Sequence, residues 1–158
     1  MNTTVKALVL GVFTAVVIAL SMLAIDLQTD MTPSDRVELG SDLPDRFYQL
    51  LLTEELIAQG EVIELFYSEG EQSVKEGGSI LTNRRLIAYA QGPDGRIASW
   101  QIPNNDIAKI EMSRQGDAEN LSVYRVGTAD DAWIELWLPH EHGDGERFAA
   151  AVQAKIAN

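Results

Sequence analysis

The chain contains no cysteine among its 158 residues. Disulfide bonds, thiolate catalysis, and zinc or iron–sulfur centres held by cysteine are therefore excluded. The missing cysteine does not identify the redox compartment, because cysteine-free proteins occur in oxidising and reducing compartments alike. The length suits one modest domain with a tether, and it is too short for two independent hydrophobic cores.

Positive charge is also scarce. Twelve Lys and Arg residues stand against 24 Asp and Glu residues, which gives a formal net charge of −12. Arg84 and Arg85 form the only adjacent basic pair in the sequence. Such a surface repels phosphate-rich partners unless a local basic patch overrides the field. We therefore predict no nucleic-acid partner, and we expect anionic lipid headgroups to be disfavoured for the same reason.

Catalytic motifs are missing as well, since the sequence has no nucleophile elbow and no glycine-rich phosphate loop. Its two histidines, His140 and His142, shortly precede Asp144. One hypothesis is an enzyme or metal protein that uses this segment. A His pair at i, i+2 lacks a third ligand at an established spacing, so two solvated histidines are the favoured interpretation. We predict no catalytic residue, metal, cofactor or small-molecule substrate.

The longest apolar run covers residues 7–25, which carry no charge. A helix of that length, at about 1.5 Å per residue, approaches the roughly 30 Å of a bilayer core. We predict a single-pass anchor that contacts the lipid bilayer of a bacterial inner membrane. Lys6 before the run and Arg36 as the first basic residue after it favour an extracytoplasmic domain. The alternative is a signal peptide, because Ala19 and Ser21 suit a cleavage site, and an exported soluble domain would then result.

The remaining sequence divides into three segments after the predicted anchor at 1–26. Residues 27–41 show no periodicity and are predicted to be a linker. Residues 42–59 predict an amphipathic helix that Gly60 ends. Its apolar stripe consists of Leu43, Phe47, Leu50, Leu51, Ile57 and Ala58.

Residues 60–158 are predicted to form the folded domain, because the apolar period changes there from 3.6 to 2. Gly77-Gly78 and the segment 92–95 are predicted to be hairpin turns. A C-terminal helix is expected from Asp144 onward, with an apolar stripe of Phe148, Ala151, Val152 and Ile156. The predicted strands cover residues 61–67, 72–75, 79–82, 85–90, 96–102, 107–112, 121–126 and 133–138. In the strand at 96–102, Ala98, Trp100 and Ile102 alternate with polar residues, which predicts a half-buried face.

Three stretches resemble bacterial pleckstrin-homology-like (PH-like) and GRAM-type domains. They are QGEV at 59–62, GSILTNRRLIAY at 78–89 and IPNNDIAKIE at 102–111. The resemblance covers about residues 56–156. It implies a PH-like, seven-stranded, bent antiparallel barrel with a C-terminal capping helix, preceded here by a transmembrane helix and a short amphipathic helix. Eukaryotic relatives bind phosphoinositides through bases in the loop after the first strand, and the corresponding loop at 68–73 carries two glutamates and no base.

Four residues are candidates for partner binding. Arg84 and Arg85 can bind a phosphate or a carboxylate, although arginines beside a turn are more often held by neighbouring carbonyls or carboxylates. Trp133 and Trp137 are expected to point outward from the last strand as anchors, unless the helix at 42–59 covers them. We predict a membrane-anchored protein–protein interaction module, an accessory or scaffold subunit of a membrane complex. A module that binds lipid headgroups is the alternative.

Overall fold

Two antiparallel sheets and two helices make up residues 33–117 and 120–156, the part of the chain that the computed structural model describes. This arrangement confirms the predicted mainly β class with a C-terminal helix. Helix α1 (Asp45–Thr53) precedes the second strand, and helix α2 (Asp144–Ile156) follows the last one. The first sheet contains β1 (Glu38–Leu39), β2 (Ile63–Ser68), β3 (Gly77–Thr82), β4 (Arg85–Gln91) and β5 (Ile97–Pro103), and the second contains β6 (Ile107–Arg114), β7 (Ser122–Thr128) and β8 (Trp133–Leu138).

The hydrophobic core lies between the inner faces of the two sheets and under α2. Directly opposed residues of antiparallel strands share a face, so Leu65, Leu81, Leu86 and Ile102 form one row across the first sheet. The second sheet and α2 contribute Tyr124, Val126, Ile134, Leu136, Leu138, Phe148 and Val152. The predicted α2 stripe therefore reaches the core through Phe148 and Val152, both fully buried.

A second apolar layer covers the opposite face of the first sheet. Phe66, Ile80 and Ile87 alternate with the core residues and are nevertheless buried. Helix α1 contributes Phe47 and Leu51, which are buried as well. The predicted amphipathic helix is thus present and packs into the domain.

The helix is shorter than the predicted 42–59, because it ends at Thr53. Glu55 adopts a positive φ of 57°, which is not compatible with a continuing α-helix, so the chain leaves the helical path well before Gly60. The amide groups of Leu56 and Ile57 both bond to the Leu51 carbonyl and close the helix end. The period of the apolar residues continues past this break, and for that reason the sequence pattern overestimates the length.

Gly77 and Gly78 lie within β3, so the predicted hairpin turn at this pair is wrong. A Cβ atom on Gly78 would lie 2.4 Å from the Tyr67 carbonyl oxygen and 2.9 Å from the Tyr89 hydroxyl oxygen. The glycine is required by close packing in the sheet rather than by a turn. The other predicted turn, at 92–95, is confirmed, with a positive φ of 78° at Gly95.

The end of the predicted linker belongs to the folded unit, which begins at Pro33. Val37 is buried, and Glu38–Leu39 forms β1 on the edge of β2. Asp144 at the start of α2 binds this segment, because its Oδ2 accepts from Arg36 Nε at 2.6 Å and from the Val37 amide at 3.3 Å. These hydrogen bonds join residues more than 100 positions apart, and a local sequence pattern therefore does not predict them.

The predicted barrel is not closed within the described residues. A 3₁₀ turn at Asn104–Asp106 divides the two sheets, and β5 and β8 each end a sheet. Among residues 33–117 and 120–156 no helix is both long and apolar enough to cross a bilayer. The predicted anchor at 7–25 and its signal-peptide alternative lie outside the described residues.

Candidate functional site: a tryptophan groove

All three tryptophans of the chain line one groove between β5 and β8. Trp100, Trp133 and Trp137 surround a cavity of about 380 Å³. Trp100 and Trp133 also line an adjoining cavity of about 580 Å³, so the two spaces meet at these rings. We call the first cavity the tryptophan groove, formed by Glu69, Ala88, Tyr89, Ala90, Trp100, Trp133, Ile134, Glu135 and Trp137.

Strand alternation on β8 places Trp133 and Trp137 on the outside of the second sheet. Ile134, Leu136 and Leu138 face the core, whereas Trp133 is 52% exposed and Trp137 is 38% exposed. No residue of α1 is among those described as lining the groove. The structure thus places both tryptophans at the surface as the sequence indicates, and their role in partner binding stays a prediction.

Two arginines of the second sheet lie over these rings. The Arg125 guanidinium is 4.2 Å from the Trp133 ring centroid, and that of Arg114 is 4.8 Å from the Trp137 ring centroid. Each pair is a cation–π contact, which at an exposed site contributes about 0.5–1 kcal/mol and favours the ring position seen here.

Trp100 is the groove residue that the sequence pattern assigns wrongly. It is opposite Ala88 on the inner face of the first sheet, where the alternation predicts partial burial. Nevertheless Trp100 is 54% exposed, and of the predicted face only Ile102 is buried. Trp100 is exposed because the groove opens beside it, which is a property of the surrounding packing and not of the strand itself.

Glu69 is the acidic group at the end of the groove, just after β2. Its amide donates to the Gly77 carbonyl, which continues the β2–β3 pairing by one residue. Within the described chain the carboxylate makes no ion pair or hydrogen bond. The residue as a whole is exposed, but desolvation by the surrounding walls raises the pKa of its carboxyl to about 7.

Glu135, the other acidic residue of the groove, already has a partner. Its Oε1 accepts from Arg125 at 3.3 Å, and Arg125 also contacts the Trp133 ring. The two acidic side chains therefore differ, because Glu135 is neutralised within the second sheet and Glu69 is not.

Arg85, a predicted partner-binding residue, is partly buried and pairs with a carboxylate of its own domain. Its Nε and one terminal nitrogen donate to the two carboxylate oxygens of Glu61 at 3.0 and 2.9 Å. Glu61 is only 1% exposed. Burial alone would raise the pKa of Glu61, but hydrogen bonds from Arg85, the Ala58 amide and Thr82 lower it to about 2. Arg85 is thus part of a buried network, as the alternative interpretation of this arginine proposed.

Arg84 is exposed at the turn between β3 and β4. Neither Arg84 nor Arg85 lines the tryptophan groove, so the structure does not bring the two predicted pairs of site residues together.

The histidine segment forms a short 3₁₀ turn before α2. His140 Nδ1 lies 3.4 Å from the Ser122 hydroxyl, and His142 Nδ1 lies 3.9 Å from Glu141. In the part of the chain that the structure describes, no group of three or more His, Cys, Asp and Glu residues is arranged to hold a metal ion.

The chain matches no protein-family model and no curated protein. It is similar to a solved structure, a DUF1696 family protein with a pleckstrin-homology domain from Shewanella loihica PV-4. The two chains are 20% identical, the TM-score is 0.47, and the match covers 72% of this chain and 90% of the other.

Proposed function

We propose that the domain is a PH-like protein-interaction module that binds its partner through the tryptophan groove. The order of its elements supports the PH-like assignment, since seven strands from β2 to β8 form two antiparallel sheets and a helix follows them. The apolar run at 7–25 supports a tether to a bacterial membrane. In this proposal the chain is an accessory or scaffold subunit of a membrane complex.

The observation that carries the proposal is the exposure of all three tryptophans along one groove. Large aromatic side chains are enriched at the energetic centres of protein interfaces. Exposing such apolar area has a cost for a soluble domain, and contiguous apolar patches are accordingly associated with binding sites. Arg114 and Arg125 also contact two of the rings and favour the ring positions seen here, which would reduce the entropy lost on binding.

Binding of anionic lipid headgroups has less support. The loop between β2 and β3 carries Glu69, Glu71 and Glu76. Its one base, Lys75, forms an ion pair with Glu54 of the segment after α1. This loop therefore offers an acidic surface where phosphoinositide-binding relatives use bases.

Site-specific photo-crosslinking in the native host tests the proposal. A photoreactive phenylalanine analogue is placed at Trp133 or Trp137 of the full-length chain, and at Val62 as the control. Val62 is 57% exposed and lies outside the groove. We expect a discrete protein adduct from position 133 or 137 and none from position 62. Identical adducts from all three positions, or adducts with lipid alone, would contradict the proposal.

A further inference from the structure

The tryptophan groove has the chemistry of a site for a cation. Its lining includes three indole rings and two carboxylates, and no Lys, Arg or His. Aromatic faces attract cations through the ring quadrupole, and the attraction increases where water is partly excluded. The net charge of −12 also attracts cations over a longer range.

The chain itself shows that two of these rings accept a guanidinium. Arg125 lies over Trp133 and Arg114 lies over Trp137, each from within the second sheet. An indole ring has two faces, and Trp133 remains 52% exposed with Arg125 in place. Trp100 has no such internal cation among the described residues, and it is 54% exposed.

Glu69 supplies the countercharge. Glu135 is neutralised by Arg125, whereas the Glu69 carboxylate has no cationic partner in the described chain. A carboxylate that is partly desolvated and unpaired gains more from a nearby cation than a fully hydrated one. The groove therefore contains aromatic faces and one unpaired carboxyl group within a single cavity, and a bound cation would favour the ionised form of that group.

We propose that the occupant of the tryptophan groove is a basic segment of a partner protein, which inserts an Arg or Lys side chain between the indole rings and pairs it with Glu69. This inference rests on the proposed function and specifies the chemistry of the partner. The charge of the chain selects for a basic occupant and against an acidic one.

A peptide segment also fits the backbone that flanks the groove. β5 and β8 are each the last strand of a sheet, and within the described residues neither has a strand partner on its outer edge. Such edges offer amide and carbonyl groups to an extended segment. The small side chains of Ala88 and Ala90 leave space above β4 for the inserted residue.

The experiment uses the tryptophans as their own reporters. Because all three line the groove, the tryptophan fluorescence of the full-length protein in neutral detergent reports on the groove and on the cavity that adjoins it. The probe is a short oligoarginine peptide, and a Gly–Ser peptide of equal length is the neutral control. Glu69→Gln removes the proposed countercharge. Glu71→Gln is the matched control, because it removes one charge from the same loop outside the groove.

We expect a saturable fluorescence change with oligoarginine and none with the neutral peptide. Glu69→Gln should weaken the apparent affinity about tenfold, and Glu71→Gln less than about twofold, because only the first charge is in contact with the cation. Equal effects of the two substitutions, or no response of the unsubstituted protein to oligoarginine, would overturn the inference. Photo-crosslinked adducts with lipid alone at positions 133 and 137 would also overturn it and would indicate a membrane surface as the occupant.

These failures are distinct from a failure of the proposed function. If photo-crosslinking at position 133 still yields a protein adduct while Glu69→Gln leaves oligoarginine binding unchanged, the groove binds a partner by other chemistry. If position 133 yields no protein adduct, the interaction module itself is contradicted.

Discussion

The two faces of the first sheet differ in how far their apolar side chains are covered and their nearby carboxylates are paired. On the outer face, α1 and the segment after it cover the apolar side chains, and the buried Glu61 carboxylate receives hydrogen bonds from Arg85, Thr82 and the Ala58 amide. At the β5 end of the inner face, Trp100 remains exposed, and the carboxylate of Glu69 has no partner in the described chain. Both regions combine apolar surface with a glutamate. Only on the outer face are the apolar side chains covered and the carboxylate hydrogen-bonded within the domain.

This difference indicates that the stability of the domain and its binding of a partner depend on separate regions. A buried charge with every hydrogen bond made is costly to disturb, because removing one partner leaves the other uncompensated. An aromatic groove that is partly exposed retains apolar surface for a partner. Substitutions on the covered side should therefore change unfolding, and substitutions in the groove should change binding.

The largest effect is expected for Arg85→Met. This substitution leaves the Glu61 carboxylate buried without its main partner, and it should lower the free energy of unfolding by about 3–5 kcal/mol. Chemical denaturation measures the change. Arg84→Met is the matched control, since Arg84 is exposed, and it should stay within about 0.5 kcal/mol. Equal losses for both variants would show that the network does not carry the stability assigned to it.

The same network should give an acid dependence. The pKa of Glu61 is about 2 in the folded protein, below its ordinary value of 4.5, so the stabilisation is complete above pH 4.5 and is lost as the pH falls through 2. Over this range the protein should lose about 3 kcal/mol more than a Glu61→Gln variant does. Denaturation curves at several pH values test this, and parallel pH profiles of the two proteins would contradict it.

Asp144→Ala should have an intermediate effect. The substitution leaves the buried Val37 amide without its acceptor and removes the partner of Arg36, at a cost of about 1–3 kcal/mol. Amide hydrogen exchange should accelerate at Val37 and Gly40, which are held near β2. Glu146→Ala, an exposed position in the same helical turn, is the control and should leave both measurements nearly unchanged.

The smallest effect is expected for Glu69→Gln on stability. The pKa of Glu69 is raised to about 7 in the folded protein, so ionisation of this group destabilises the fold as the pH rises from 4.5 through 7. Because the residue is exposed, the variant should gain only a few tenths of a kcal/mol at pH 8 and nothing at pH 4. Four titratable or charged groups lie near Glu69. They are Glu135, which is paired with Arg125, and the tyrosines Tyr67 and Tyr89. A loss of stability at pH 8 would instead indicate an internal partner.

Local patterns predict much of this fold and part of the site. The alternation along 133–138 places Trp133 and Trp137 outward, and the motif at 92–95 identifies a hairpin, because both depend on neighbours in the sequence. The exposure of Trp100 depends on the packing around the groove that it lines. The unpaired state of Glu69 depends on every side chain around it. Such properties arise from tertiary packing, and a local pattern does not contain them.

The glycine pair at 77–78 illustrates the same limit. Two adjacent glycines usually indicate a turn, yet Gly78 is needed because the Tyr67 backbone and the Tyr89 ring approach it closely within the sheet. The sequence identifies an unusual backbone requirement at this position, and only the packing shows which requirement it is.

Binding through the tryptophan groove is tested most directly by measuring stability and partner retention in one variant, the double substitution Trp133→Ala with Trp137→Ala. The full-length tagged protein and a Val62→Ala control are captured from native membranes in mild detergent, and their unfolding is measured in parallel. We expect the double variant to remain folded, with a cooperative unfolding transition, and to lose the partner identified by crosslinking. Retention of that partner by the double variant would contradict the assignment of binding to the tryptophan groove.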